Sequence, residues 1–156
     1  MAACAFGQET SDVPSCSVAH NGGRRIVSQL EIVEFYVPRF AHLTKSRDVD
    51  YVEYFVRYGP KGNKSWLKFM FGEMVGGVKP SEVENRSIQW TAQEWGCHHD
   101  KDGTDWRGVA EDGRKWRHIS VPFGFAAYEG MPPKAAEYFD KILDSMCCGK
   151  CPTCKK

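Results

Sequence analysis

The sequence has no long apolar run. Nothing in its 156 residues approaches the roughly 18 consecutive apolar residues of a membrane-spanning helix, so no membrane role through helices is expected. Charge of one sign is also missing. The 21 Lys and Arg nearly cancel the 20 Asp and Glu, leaving +1, and like charges gather only in short pairs such as Arg24-Arg25 and Lys155-Lys156. That argues against a nucleic-acid binder working through a broad basic face, while leaving a small basic contact at the tail open. There is no P-loop, no G-x-G-x-x-G and no Ser-His-Asp spacing. Glu31, Glu34 and Glu53 are isolated carboxylates, so no acid–base pair can be argued. The first residues carry neither a basic segment nor an apolar stretch of signal-peptide type. The expected address is therefore cytoplasmic, where thiols stay reduced and an odd cysteine count raises no pairing problem. Internal repeats and low-complexity segments are absent.

A chain of this length fits one domain able to bury roughly two thirds of its unfolded surface. Residues 1–23 are poor in large apolar groups and end in Asn-Gly-Gly, which reads as a flexible arm. From Arg24 the chain turns rich in β-branched and aromatic residues. Strands are predicted over 26–37, 51–58, 66–71, 87–95, 106–110 and 115–121, with hairpins joining the second to the third and the last two. The second of these hairpins turns at Asp112-Gly113, where glycine accepts the positive φ of a tight turn. Residues 72–85 read as a connection with a capping box at 81–84, and 96–105 as a polar loop. A helix is predicted from Pro132 or Pro133 to Met146, with Ala135, Phe139, Ile142 and Met146 on one face and Leu143 alongside. At 1.5 Å per residue it would span about 22 Å. The fold class is α+β: an antiparallel sheet of five to seven strands, free to curl toward a half-barrel, with one C-terminal helix packed on it. It is divided into an arm (1–23), a domain (24–146) and a Cys-rich tail (147–156).

The strand periodicity separates two faces. Val52, Tyr54, Val56 and Tyr58, with Leu67, Phe69 and Phe71, form clean apolar rows for the helix side. The opposite rows mix Tyr51, Glu53, Phe55 and Arg57 with Trp66, Lys68 and Met70. A face carrying Phe55, Trp66, Met70 and Trp95 is too apolar for plain solvent and too charged for plain core. It is expected to be covered by residues 1–23 and 38–48 or by curling, or else to bind a second copy of the chain or a small apolar ligand. Trp95 lies an odd five residues from Trp90, so a regular strand sends the two to opposite faces. His118 alternates with Trp116 and Ser120 and reads as a packed or surface histidine rather than a base.

Cys147, Cys148, Cys151 and Cys154 place four of the seven cysteines in the last ten residues. Thiols at x2 spacing suit a tetrahedral zinc site, and Cys147 or a distant group would supply the fourth ligand. The Cys148-x2-Cys151-x2-Cys154 run also resembles three quarters of a bacterial ferredoxin cluster motif, but no Cys-Pro follows at x3. A thiol oxidoreductase is the weaker reading, because these cysteines follow a helix C-terminus, whose dipole opposes thiolate. A bare, reduced tail is the bland alternative. The Cys97-His98-His99-Asp100 run offers further ligands, and Cys97 or His99 could complete the tail's coordination. Asp100-Lys-Asp-Gly103 is similar to a calcium loop, with its glycine two residues early.

The block from Asp112-Gly-Arg-Lys-Trp through Tyr128-Glu-Gly-Met-Pro-Pro-Lys-Ala-Ala-Glu-Tyr-Phe to Cys147 resembles the end of small uncharacterised bacterial proteins, of the kind carried on mobile gene cassettes. The resemblance covers roughly the last quarter of the chain and implies no activity. The extra thiols after Cys147 depart from it. The functional expectation is a non-enzymatic ligand- or partner-binding module using the aromatic sheet face, with a small metalloprotein as the alternative and a thiol oxidoreductase third.

Overall fold

The structure is a computed structural model that describes residues 23–28, 33–60, 64–73, 75, 87–97, 100–121 and 123–148, the side chains of 96, 97, 100–102 and 148 excepted. The expected N-terminal arm and the capping box at 81–84 therefore lie outside the described residues. Ten strands and one helix follow in order: β1 (Gly23–Val27), β2 (Val33–Pro38), β3 (His42–Arg47), β4 (Val52–Arg57), β5 (Trp66–Phe71), β6 (Gln89–Cys97), β7 (Asp100–Val109), β8 (Lys115–Val121), β9 (Gly124–Met131), α1 (Pro133–Leu143) and β10 (Cys147–Cys148). Seven strands form one antiparallel sheet ordered β3-β4-β5-β9-β8-β7-β6, and β1-β2-β10 form a second, smaller one. The fold is α+β, and the large sheet is open, with β3 and β6 at its edges.

Both expected hairpins form. Val52 to Arg57 pair with Phe71 to Trp66, and Val109 pairs with Lys115 across the Asp-Gly turn. Gly113 takes φ +83°, and the Arg114 amide donates to Asp112 Oδ1 at 3.1 Å, closing the turn with a side chain that favours it.

Four elements differ from the sequence reading. The stretch 26–37 is two strands, not one: Ser28 N–H donates to Val33 O at 2.9 Å, and β1 folds back on β2. Residues 38–48, read as a covering loop, hold the edge strand β3. The polar loop at 96–105 is mostly β7, whose polar residues alternate with Trp106 and pair with β6. The strand β9 was not anticipated, and it is the centre of the sheet, between β5 and β8.

The helix stops at Leu143, about 16 Å of rise, and contacts β2, β9 and β8. Ala135, Ala136, Phe139, Ile142 and Leu143 are its buried face, as periodicity required. Pro133 sits in its first turn, where a missing N–H costs nothing, and Glu137 and Lys141 pair at 3.4 Å on the exposed side. The core lies between this helix with β2 on one side and one face of the large sheet on the other. Phe35 of β2 stacks on Phe69 of β5 with ring centres 3.8 Å apart, and Tyr128 and Phe139 meet beneath the helix. Cys147 pairs with Glu34, so the folded domain extends past 146 through β10.

An ionic cluster fastens the helix end to the sheet. Arg117 of β8 is 3 % exposed. Its Nε and Nη2 donate to the two Asp105 oxygens at 3.0 and 2.9 Å, and Nη1 donates to Asp140 Oδ1 at 3.0 Å. Its Nη2 also lies 2.8 Å from Asp144 Oδ1. The Tyr128 hydroxyl donates to the same Asp140 oxygen, and Arg107 donates to Asp105 at 3.1 Å. Burial works against the guanidinium charge, but Asp105 and Asp144 outweigh it and hold Arg117 firmly protonated. A bidentate arginine–carboxylate pair is the geometry in which a buried charge is tolerated.

Candidate functional site

The second face of the large sheet is where chemistry-bearing residues converge. The pairing registers run one lateral row across all seven strands: Thr44, Phe55, Lys68, Ala127, His118, Trp106 and Ala92. Each residue stands on the same face because antiparallel partners share a side. In the middle of the row the side chain shrinks to a methyl at Ala127, between Lys68 and His118. The dip this leaves belongs to a cavity of about 600 Å³, whose lining includes Phe55, Trp66, Lys68, Phe125, Ala127 and His118, with Lys64, Glu129 and Met131 toward its rim.

One wall is aromatic. The Phe55 and Trp66 rings meet edge to face with centroids 6.1 Å apart, and Trp66 keeps 38 % of its surface exposed. Lys68 Nζ lies 2.7 Å from Glu53 Oε1 and 5.5 Å from the Phe55 ring centre, so the cation is anchored over the wall. The other wall is His118. It is 2 % exposed, and neither ring nitrogen has a hydrogen-bond partner among the described residues. Glu129 Oε1 lies 3.5 Å from Nε2, beyond hydrogen-bond contact, and the Trp90 ring stands edge to face at 5.9 Å. Burial pushes the imidazole pKa down, partly countered by Glu129, so His118 is the neutral base at pH 7.

The folded state holds this histidine below its ordinary 6.5, so in the acidic window the unfolded chain binds more protons. Stability from this group is complete above pH 6.5 and falls as pH drops below it. Urea midpoints at pH 8 and pH 5.5 are expected to differ less in His118→Gln than in the parent, and equal differences would remove His118 as the cause.

Phe55 and Trp66 are in the site, and Met70 shares the face, opposite Glu53 and Phe125, without lining the cavity. Trp95 is a correction. It pairs with Gly103 on the other side of the sheet, is buried in the core, and lies near Ile119, Leu143 and Met146 around a smaller cavity of about 320 Å³. The odd spacing from Trp90 puts the two on opposite faces. That smaller cavity is lined by Asp105, Arg107, Arg117 and Asp144, all committed to one another. Lys68, Ala127, His118 and Glu129 were missed as site residues. The period-2 alternation placed Lys68 and His118 on strands, but only β9 brings them together.

The cysteine expectation changes at one residue. Cys147 is fully buried in β10 and disulfide-bonded, so its sulfur is not a thiolate ligand and not a reduced thiol. The backbone of β10 does lie against β6, the strand ending at Cys97. The side chains of Cys97 and Cys148, and all of His99, Cys151 and Cys154, lie outside the described residues. Among the described residues no group of three His, Cys, Asp or Glu is placed to hold a metal. Thiol titration of protein unfolded without reductant is expected to find at most five reactive thiols of the seven. Seven would show that Cys147 is reduced.

No helix among the described residues is long and apolar enough to cross a membrane. The chain matches no family model and no curated protein, so the reading of the site rests on its geometry.

Proposed function

We propose that this protein is a non-enzymatic binding module for a small, mostly apolar ligand held on the second face of the seven-stranded sheet. One observation carries the reading: a concavity of about 600 Å³ with an aromatic wall, an alanine floor and a buried histidine whose nitrogens have no partner among the described residues. Ligand sites have this volume and this mixture of apolar lining with a few convergent polar groups. Buried polar atoms without partners are costly, and a bound group is a direct way to satisfy them. The concavity favours a small ligand over a second copy of the chain, which a flat face would suit better. Light scattering at high concentration is expected to give a monomer.

The direct test is titration with a neutral bicyclic aromatic, 2-naphthylmethanol, followed by tryptophan fluorescence, since Trp66 stands in the wall. Saturable binding is expected, and Ala127→Phe, which fills the floor, is expected to abolish it without loss of folding. Absence of binding, or binding indifferent to Ala127→Phe, would remove this site.

The cytoplasmic address read from the sequence now stands against the Cys147 disulfide, which belongs more often to oxidising compartments. Trapping thiols in intact cells with an alkylating agent would decide between them.

A further inference from the structure

The cavity's polar groups are arranged about Ala127. Lys68 and His118 flank it in the lateral row, one strand away on either side. At about 4.8 Å per strand their backbones stand roughly 10 Å apart. A group seated over the Ala127 methyl therefore has the imidazole on one side and on the other the Lys68 side chain, whose ammonium rests on Glu53 and Phe55 and would swing toward it. Around the lining, Lys64 and Lys68 are positive and Glu129 is negative, and Glu53 beside the lining is paired with Lys68. From that group the aromatic wall of Phe55 and Trp66 runs away on the Lys68 side, with Met131 toward the rim. Resting on the binding reading above, we propose that the ligand is a planar aromatic carboxylic acid, its rings against Phe55 and Trp66 and its carboxylate over Ala127 between Lys68 and His118.

The alternatives fit less well. A cationic ligand would meet Lys64 and Lys68, and Lys68 already lies over the Phe55 ring. A wholly apolar ligand would leave both His118 nitrogens buried with no partner among the described residues, which is costly for a polar group.

Anion binding here carries a proton with it. The charged groups facing His118 are few. Glu129 on β9 is 3.5 Å away, Lys68 on β5 lies two strands off, and β7 presents only Thr104, Trp106 and Gly108 on this face. On β6 the same face holds Trp90, Ala92 and Glu94, with Glu94 in the neighbouring row. With Glu129 alone the imidazole stays neutral. A ligand carboxylate beside the ring adds a second negative charge to that of Glu129 and favours the imidazolium. The proton comes from solvent. Affinity for an acid should thus rise as pH falls from 8 to 6.

Three probes of one shape test this: 2-naphthoate, 2-naphthylmethanol and 2-naphthylmethylamine, titrated calorimetrically at pH 8, 7 and 6. Naphthoate is expected to bind about tenfold or more tighter than the alcohol at pH 7, as a charge-assisted pair implies. The amine should be weakest. Naphthoate affinity should rise several-fold toward pH 6, and its binding heat should depend on the buffer's ionisation enthalpy, the signature of proton uptake. In His118→Gln the acid-to-alcohol affinity ratio should no longer change with pH. Lys68→Met, a change at a half-buried lining position, should lower the acid's advantage while leaving the pH dependence in place. Equal binding of acid and alcohol, a preference for the amine, or acid binding independent of pH would overturn the proposal while leaving the binding site intact. Failure of all three probes would overturn both readings.

Discussion

Arg117→Ala is expected to destabilise the protein by about 3–5 kcal/mol, the range for removing one partner of a buried ion pair. Its carboxylate partner Asp105 is 8 % exposed at the side chain and, among the described residues, would keep Arg107, which is 44 % exposed. Asp140 and the Tyr128 hydroxyl would lose their shared cation, and the end of α1 its tie to β8. Domains of this kind have roughly 5–15 kcal/mol in total, so the loss is about a fifth of the fold or more. With a urea slope of about 1–3 kcal/mol per molar, the midpoint should fall by roughly 2 M. Arg117→Lys should not rescue it, since an ammonium cannot make the two parallel bonds to Asp105. The test of mechanism is Asp105→Leu combined with Arg117→Met. If the cost is an orphaned charge, the double variant should be more stable than either single one. Equal additive losses would mean that the cluster acts by shape alone. Asp144→Ala should cost about 0–1 kcal/mol, because that carboxylate is mostly exposed.

The parts of the fold that were legible in the sequence are those where one residue type answers to one force. Asp112-Gly113 specifies its turn through glycine's free φ, and Val52-Tyr54-Val56 against Leu67-Phe69-Phe71 specifies a buried face through alternation. The buried face of α1 follows from its 3.6-residue period. Strand β9 was invisible for the opposite reason. Gly124-Phe-Ala-Ala-Tyr-Glu-Gly carries small residues that score poorly as strand, yet they are small because the strand is central and crowded on both sides. An added Cβ at Gly124 would stand 2.4 Å from the Met70 carbonyl oxygen, and Ala126 is fully buried under the core. With β9 missing, the site was missing as well. Lys68 and His118 are fifty residues apart in sequence, and only Ala127 between them makes them neighbours. The small sheet was also hidden: nothing in Ser28 to Val33 resembles a glycine or proline turn, and a two-residue strand at Cys147 has no periodicity to read. Trp95 was counted on the wrong face: its odd distance from Trp90 separates the two, and only the strand pairing shows which of them is in the core.

Two phenylalanines give the sharpest test of that division between faces. Phe35→Ala is expected to cost about 3–5 kcal/mol, and Phe55→Ala under about 1.5 kcal/mol. Phe35 is fully buried, stacks on Phe69 at 3.8 Å and meets the Tyr54 ring edge to face at 5.8 Å, joining the small sheet to the large one. Truncation there leaves a void lined by other rings, which the surrounding strands cannot close because each is held in register by its neighbours. Phe55 lies on the cavity face, where space already exists and water can enter, so truncation enlarges a concavity rather than opening a void. Its loss should appear in binding instead, because the ring is half of the aromatic wall and the seat of Lys68. Urea unfolding of both variants, beside naphthylmethanol titration of Phe55→Ala, reads the two effects separately. A large stability loss at Phe55 with unchanged binding would make the second face ordinary core. A small loss at Phe35 would mean that β1, β2 and β10 dock on the large sheet far more weakly than the stacking geometry implies.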